Sequence, residues 1–295
     1  MSYHRIAIVS PGDMGHAIGR ALAEGGHDVV TCLAGRSPVS RARAERAGMR
    51  DVADFRALVS GVDLVLSIVP PEAAAETAGS IAEAMGATGA RPVYVECNAI
   101  APQSTRAIGE VITAAGAVYI DGGIVGNPPG VAAPTRLYVS GPAAESLMEL
   151  DGNGIVIRAC GSEIGRASAI KMCYASITKG ANTLFTAALV ATEALGIGEV
   201  FQDELAESQA AFFKRMNAVI PRLPADSGRW IAEMDEIAAT FASVGVTADF
   251  HHGARAVYEL LNRTPFAAET RETIDANRGL AASIRVYAGH LAPPA

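Results

Sequence analysis

The sequence predicts an α/β fold in which a doubly wound, mostly parallel sheet over residues 1–160 is followed by an all-helical domain over residues 161–295. Three observations lead there. Up to about residue 160, short β-branched runs alternate with alanine-rich stretches, the pattern of βαβ units with helices on both faces of a sheet. Past Gly161 such runs stop, and alanine, leucine and glutamate patterns take over. A chain of 295 residues is also long for one hydrophobic core, so two domains are expected.

The strands are read in order as "RIAIVS", "HDVVTCL", "VDLVLSIV", "RPVYVEC", "AVYIDGG" and "RLYVSG". The helical half opens with "GSEIGRASAIKMCYASITKGANTLF", and Pro221 and Pro224 in "VIPRLPADSG" break its later part into helices on either side of a loop. Only 5% of residues are aromatic, which suits helices packed through small side chains. The net charge is −7 and Lys and Arg are scattered, so no electrostatic footprint for nucleic acid or an acidic membrane is present. A small-molecule partner is expected instead. Cys32, Cys97, Cys160 and Cys173 are too far apart to suggest a metal site or a disulfide framework, and no metal is expected. The first residues show no basic and apolar leader, giving a cytoplasmic expectation. The least charged long segment, Ala167 to Leu195, still holds Lys171, Lys179 and Glu193, which would be costly in a bilayer.

The stretch Ser10-Pro11-Gly12-Asp13-Met14-Gly15 stands between the first strand and a helical run, where a Rossmann domain places its phosphate-binding turn. Such a turn asks for three glycines. Gly12 and Gly15 fill the roles of backbone approach to the pyrophosphate and of helix packing on the strand, while Ser10 replaces the first glycine. Pro11 has no N–H to offer, but amides from Gly12 onward can meet a phosphate at the helix N-terminus. After the second strand, "CLAGRSP" lacks the acid that would bind the ribose 2′-hydroxyl of NAD. Arg36 and Ser37 instead suit the 2′-phosphate of NADP, so NADP (NADPH) is the expected cofactor. Arg41 and Arg43 are further phosphate candidates, or ordinary solvated charges. Val69, Pro70 and Asn98 follow later strands, at the sheet edge where the cofactor's ribose and nicotinamide are expected; Pro71 reads as a turn residue.

Chemistry is expected on the helix that opens the second half. Read as one α-helix, it puts Lys171, Tyr174, Thr178 and Asn182 on one stripe, with Lys179 about 80° away. A lysine in so apolar a helix is costly to bury without a task, and burial favours its neutral form, useful for proton transfer. A lysine reaching solvent along its own stem is the plainer alternative.

The Rossmann half with "GDMG", the segment "YIDGGIVGNPPG" and the helix "IGRASAIKM" together resemble the β-hydroxyacid dehydrogenases, relatives of 3-hydroxyisobutyrate and 6-phosphogluconate dehydrogenases. More narrowly, "TRLYVSG", "EMDEIAATF" and "HHGARAVYELL" resemble a branch with a 6-phosphogluconate dehydrogenase-like C-terminal domain and mostly unassigned substrates. The resemblance covers nearly the whole chain. It implies a dehydrogenase with Lys171 as general acid/base; with the NADP(H) expected from Arg36 and Ser37, the function expected is interconversion of a hydroxyl and a carbonyl on a small, carboxylic substrate. It also implies a homodimer with interlocked helical domains. Two departures bear on the substrate. Where better-known members have serine-glycine-glycine for the substrate carboxylate, this chain has Val125, Gly126 and Asn127, leaving backbone amides around Gly122, Gly123 and Gly126. Where they carry asparagine a turn after the lysine, it has Tyr174 and Ala175, so Tyr174 or Asn182 is expected to substitute. Of His251 and His252, the resemblance favours His252 as a substrate contact. Reduction of an imine or amino acid on the same scaffold, and a non-catalytic NADP-binding sensor, are the alternative readings.

Overall fold

The computed structural model describes residues 3–131, 134–152, 154–270 and 273–293. The chain divides into two compact units, Met1–Met172 and Cys173–Ala295. In the first, strands and helices alternate as β1 (Arg5–Ile8), α1 (Asp13–Glu24), β2 (Asp28–Cys32), α2 (Pro38–Arg46), β3 (Arg50–Val52), α3 (Phe55–Ser60), β4 (Leu64–Ser67), α4 (Ala74–Thr88), β5 (Val93–Glu96) and α5 (Pro102–Ala114). Three further strands, β6 (Tyr119–Val125), β7 (Thr135–Ser140) and β8 (Ile155–Ala159), precede α6 (Arg166–Ala175), whose last residues fall in the second unit.

The sheet order is β3-β2-β1-β4-β5-β6-β7-β8. All neighbours are parallel except β6 and β7, which are antiparallel. Strand order reverses between β1 and β4, and the loops beyond their carboxyl ends flank the crevice where such sheets bind ligands. Each central strand is buried on both faces, and period-two alternation splits it between two cores. Ile6 and Ile8 of β1 join Leu64 and Leu66 of β4 and Ile18 and Leu22 of α1 on one face. Ala7, Val65 and Tyr94 join Ala78, Ile81 and Met85 of α4 on the other.

The sheet unit runs past residue 160 because "GSEIGRASAIKM" packs on β6 and not among the later helices. β3 and β8 are not among the strands expected from the sequence. β3 is three residues long and exposed on two of them, which leaves no periodic signal. In the second unit a π-turn (Ser176–Gly180) leads into α7 (Ala181–Ala194), α8 (Gly198–Ser208), α9 (Ala210–Val219), α10 (Pro224–Ala242), α11 (Asp249–Asn262) and α12 (Leu280–Ala288). Trp230 of α10 meets Tyr258 of α11 edge to face, with ring centroids 5.3 Å apart. Among the described residues no helix is long and apolar enough to cross a membrane.

Candidate active site

The turn after β1 is built for close approach. The Val9 N–H donates to the Leu66 carbonyl at 3.1 Å, joining the ends of β1 and β4 at the crevice. Gly12 is extended (φ −68°, ψ −171°) and caps α1 with no side-chain hydrogen bond, so the first-turn amides are left to the backbone and to whatever binds there. A Cβ on Gly12 would meet nothing within 4 Å, whereas one on Gly15 would stand 2.0 Å from the Ser10 carbonyl oxygen. Gly15 therefore lets α1 lie on the strand end, and Gly12 keeps open the space before it. Ser10 is nearly buried and supplies, through its carbonyl, the surface that Gly15 fits. Met14 packs on the core. Asp13 is paired with Arg43 of α2, Nη2 to Oδ1 at 2.5 Å. These residues fit a dinucleotide pyrophosphate.

At the end of β2, Gly35 (φ 69°) turns the chain and the Ser37 hydroxyl accepts the Ser40 N–H at 3.2 Å, capping α2. Arg36 is half-buried, and its guanidinium has no hydrogen-bond or ion-pair partner among the described residues. The other two arginines read as phosphate candidates are engaged within the protein. Arg41 donates to the Leu33 carbonyl at 2.6 Å and lies 3.9 Å from Asp51, while Arg43 holds Asp13. Asp51 is an acid that sequence reasoning missed at this turn. It comes from β3 and accepts the Leu33 N–H at 2.8 Å.

Toward the middle of the sheet, Val69 and Pro70 follow β4, and Pro71 opens a 3-10 turn as its turn role requires. Asn98 is buried and fully engaged: its Oδ1 accepts the Val69 N–H at 2.6 Å, its Nδ2 donates to the Ser67 hydroxyl at 3.2 Å, and its N–H donates to Glu96 at 3.0 Å. It braces the loops after β4 and β5.

Beneath that brace lie two carboxyls in register, Glu96 of β5 and Asp121 of β6, both fully buried. Burial pushes Glu96 up to about 8, opposed by the Asn98 N–H, reinforced by the charge of Asp121 and opposed again by the Tyr94 hydroxyl. Asp121 accepts from Thr105 (3.0 Å), from the Ser168 hydroxyl (2.5 Å), from Ser140 (2.8 Å) and from the Gly165 and Ser168 amides (2.9 and 3.1 Å). The last two are amides at the start of α6, so Asp121 serves as that helix's N-terminal cap from across the sheet. The signal for both acids was present: each interrupts an otherwise apolar strand, in "VYVEC" and "YIDGG".

Capped in this way, α6 lies directly on β6. A Cβ on Gly123 would be 2.5 Å from the Ala167 carbonyl and 3.1 Å from the Lys171 Cβ, so the glycine admits the helix and seats the lysine. Lys171 is half-buried, just past the Glu96–Asp121 pair at the carboxyl edge of the parallel strands. Gly122 and Gly123 are buried inside β6 opposite Val139 and Tyr138, and Val125 is buried at its end. Gly126 (φ 108°) lies beyond the ladder.

The remaining candidates belong to the second unit. Tyr174 is 45% exposed. The stripe from Tyr174 to Asn182 does not hold, because the π-turn Ser176–Gly180 adds to the turn and resets the helical phase. Carbonyls at that turn are taken up by side chains: Thr178 O by Arg215 at 3.3 Å and Lys179 O by the Tyr258 hydroxyl at 3.1 Å. Asn182 is buried and accepts from Arg215 at 3.2 Å, and the Thr178 hydroxyl donates back to the Tyr174 carbonyl at 3.0 Å. Lys179 pairs with Glu233, its ammonium 4.9 Å from the Trp230 ring. Of the histidines, His251 is buried edge-on to Phe241, with burial lowering its pKa and His252 adding to the effect, while the His252 side chain is 60% exposed beside Asp249.

Residues 5–150 match the family described as the NAD binding domain of 6-phosphogluconate dehydrogenase, and residues 192–261 match the domain of unknown function DUF1932. An uncharacterized 28.5 kDa protein of Methanothermus fervidus is 26% identical over 186 residues, 63% of this chain and 70% of that protein. Among solved structures, the conserved protein MTH1747, of unknown function and similar in structure to 3-hydroxyacid dehydrogenases, is 28% identical with a TM-score of 0.64, covering 87% of this chain and 96% of that one. The 3-hydroxyisobutyrate dehydrogenase of Mycobacterium tuberculosis, solved with L-serine, shares the fold with a TM-score of 0.66 at 20% identity, covering 96% and 99%. The two domain matches follow one another along the chain as the sheet unit and the helical unit do, and the chain belongs to the β-hydroxyacid dehydrogenase-like superfamily.

Proposed function

We propose that the protein is an NADP(H)-dependent oxidoreductase that interconverts a hydroxyl and a carbonyl on a small carboxylic substrate, with Lys171 as general acid/base. The coarser statement, an oxidoreductase with a nicotinamide dinucleotide cofactor, follows from the superfamily. The observation that carries the finer one is the seat of Lys171 against Gly123, at the same sheet edge as the Val69 and Asn98 loops. Bound there, the nicotinamide supplies the hydride donor or acceptor. The protein's share is placement and proton management. Amides from Gly12 to Gly15 hold the pyrophosphate, Arg36 and Ser37 take the 2′-phosphate, and Val69 and Pro70 flank the ribose. The Lys171 ammonium gives a proton to the substrate oxygen as a carbonyl is reduced, and the amine takes one from the hydroxyl in the reverse direction.

The substrate carboxylate is assigned to backbone at the end of β6, where Gly126 lies beyond the ladder while Gly122 and Gly123 are inside it. In this reading the chain acts as a cytoplasmic homodimer, checked by sedimentation. Buried Val125, which offers no hydroxyl for a carboxylate, favours a second reading as a reductase of imines. A panel of hydroxy acids, aldehydes and cyclic imines read at the nicotinamide absorbance separates the two. In the primary test, Lys171→Met abolishes turnover while NADPH still raises the melting temperature. Unchanged turnover by that variant, or stronger stabilisation by NADH than by NADPH, overturns the assignment.

A further inference from the structure

Arg43 is a cation beside the cofactor turns that the proposed function does not use. Its Nη2 lies 2.5 Å from Asp13 Oδ1, and the two side chains are only 21% and 27% exposed. Asp13 is the first residue of α1, directly after Gly12, so its carboxylate stands at the positive end of the helix that faces the pyrophosphate in the proposed function. Alone, a carboxylate at that point suits the helix but opposes a doubly charged pyrophosphate, because like charges within about 6 Å repel appreciably at a partly desolvated surface. Paired with a guanidinium, the same carboxylate presents little net charge. The partner comes from α2, which Ser37 caps and Arg36 precedes, so the ion pair also ties the pyrophosphate turn to the turn assigned to the 2′-phosphate.

We infer that Arg43 is a positioning residue for the dinucleotide and acts through Asp13: it neutralises the carboxylate at the start of α1 and holds α1 and α2 so that one cofactor spans both turns. The inference rests on the reading of Ser10–Gly15 as the pyrophosphate site. It differs from direct phosphate binding in a testable way, since the need for the arginine disappears once the carboxylate is gone.

The experiment is a double-mutant cycle on the full chain, with NADPH dissociation constants from equilibrium titration of the wild type, Arg43→Ala, Asp13→Asn and the double variant, and the ligand-free melting temperature of each. Arg43→Ala is expected to weaken binding about 30-fold, the scale of one uncompensated charge beside a phosphate. Asp13→Asn is expected to bind at least as tightly as the wild type, and the double variant to return to within about fivefold of it. The loss in Arg43→Ala should shrink in about 0.5 M salt, as screening removes the repulsion. A double variant no better than Arg43→Ala marks the arginine as a direct ligand or a plain brace and overturns the inference, as does an Arg43→Ala variant that binds like the wild type. Wild-type protein that binds neither NADPH nor NADH instead overturns the reading of the site, and this inference with it.

Discussion

Replacing Glu96 by glutamine probes the buried acid at the centre of the sheet. The side chain is fully buried, and its carboxyl is pushed up to about 8 from an ordinary 4.5. Its folded pKa lies above the unfolded one, so between these values the folded protein keeps a proton that the unfolded chain releases. Stability from this group is complete below about pH 4.5 and is lost as pH rises through about 8. At about 1.4 kcal/mol per unit, the whole window amounts to about 5 kcal/mol, and the interval from pH 6 to 8 to about 2 kcal/mol. Glutamine keeps the geometry: its carbonyl accepts the Asn98 N–H, and its amide reaches the Tyr94 hydroxyl that now lies 3.4 Å from Glu96. Calorimetric melting of both proteins at pH 6, 7 and 8 should therefore show the wild type losing roughly 4–8 °C relative to Glu96→Gln across the series. Slow amide exchange in β5 and β6 should follow the same trend and separates the sheet unit from the helical one. Parallel pH profiles, or a glutamine variant that is less stable than the wild type at pH 8, would show that Glu96 is ionised in its pocket and refute the reasoning.

Gly15→Ala puts a Cβ 2.0 Å from the Ser10 carbonyl, so α1 or the strand end must move; a loss of about 2 kcal/mol or more and of NADPH binding is expected by calorimetry and titration. Breaking the Lys179–Glu233 pair with Glu233→Gln should cost about 3 kcal/mol in urea unfolding followed by Trp230, the single tryptophan and a neighbour of the lysine. Replacing both partners by Met and Leu should recover much of that loss, and an equally unstable double variant would deny that the cost comes from a stranded charge. His251 has a lowered pKa, so its contribution is present above the ordinary histidine value and is lost as pH falls. His251→Leu, which keeps the packing on Phe241, should melt at a higher temperature than the wild type at pH 5 and lose that advantage at pH 8.

The parts of the fold and site that were legible in the sequence are those fixed by local chemistry. A strand, two glycines and a helix mark the turn after β1 because backbone geometry admits few other residues there, and the close approach of Gly15 to the Ser10 carbonyl matches the packing role expected of it. At "GRSP" the turn itself was legible, whereas Ser37, expected as a phosphate contact, turns out to cap α2. The features that sequence reading lost depend on partners distant in the chain. β8 is an edge strand defined by its pairing with β7, and β3 is too short for a period to show. Residues past 160 look helical and were read with the helical half, but Asp121 and Gly123 draw them onto the sheet. The stripe through Tyr174 and Asn182 assumed an unbroken α-helical period, and no local pattern in "ASITKGAN" announces the π-turn, which is held by Arg215 and Tyr258 from elsewhere in its unit.

That dependence bears on where the lysine proposed for proton transfer gets its position. Lys171 is on a helix, and the sequence places that helix at the head of the helical domain; its anchors are nevertheless in the sheet. Asp121 caps it, the Ser140 hydroxyl accepts the Ala167 N–H at 3.1 Å, and Gly123 clears the space its backbone and the lysine stem occupy. Each anchor comes from β6 or β7, the antiparallel pair added to an otherwise parallel sheet. A buried carboxylate with five donors and a helix start on top of it is stiff, because moving the helix would strand a charge without its hydrogen bonds. The sheet that carries the turns proposed for the cofactor thus also sets the height and direction of the lysine, so the hydride and proton partners of the proposed reaction share one rigid frame.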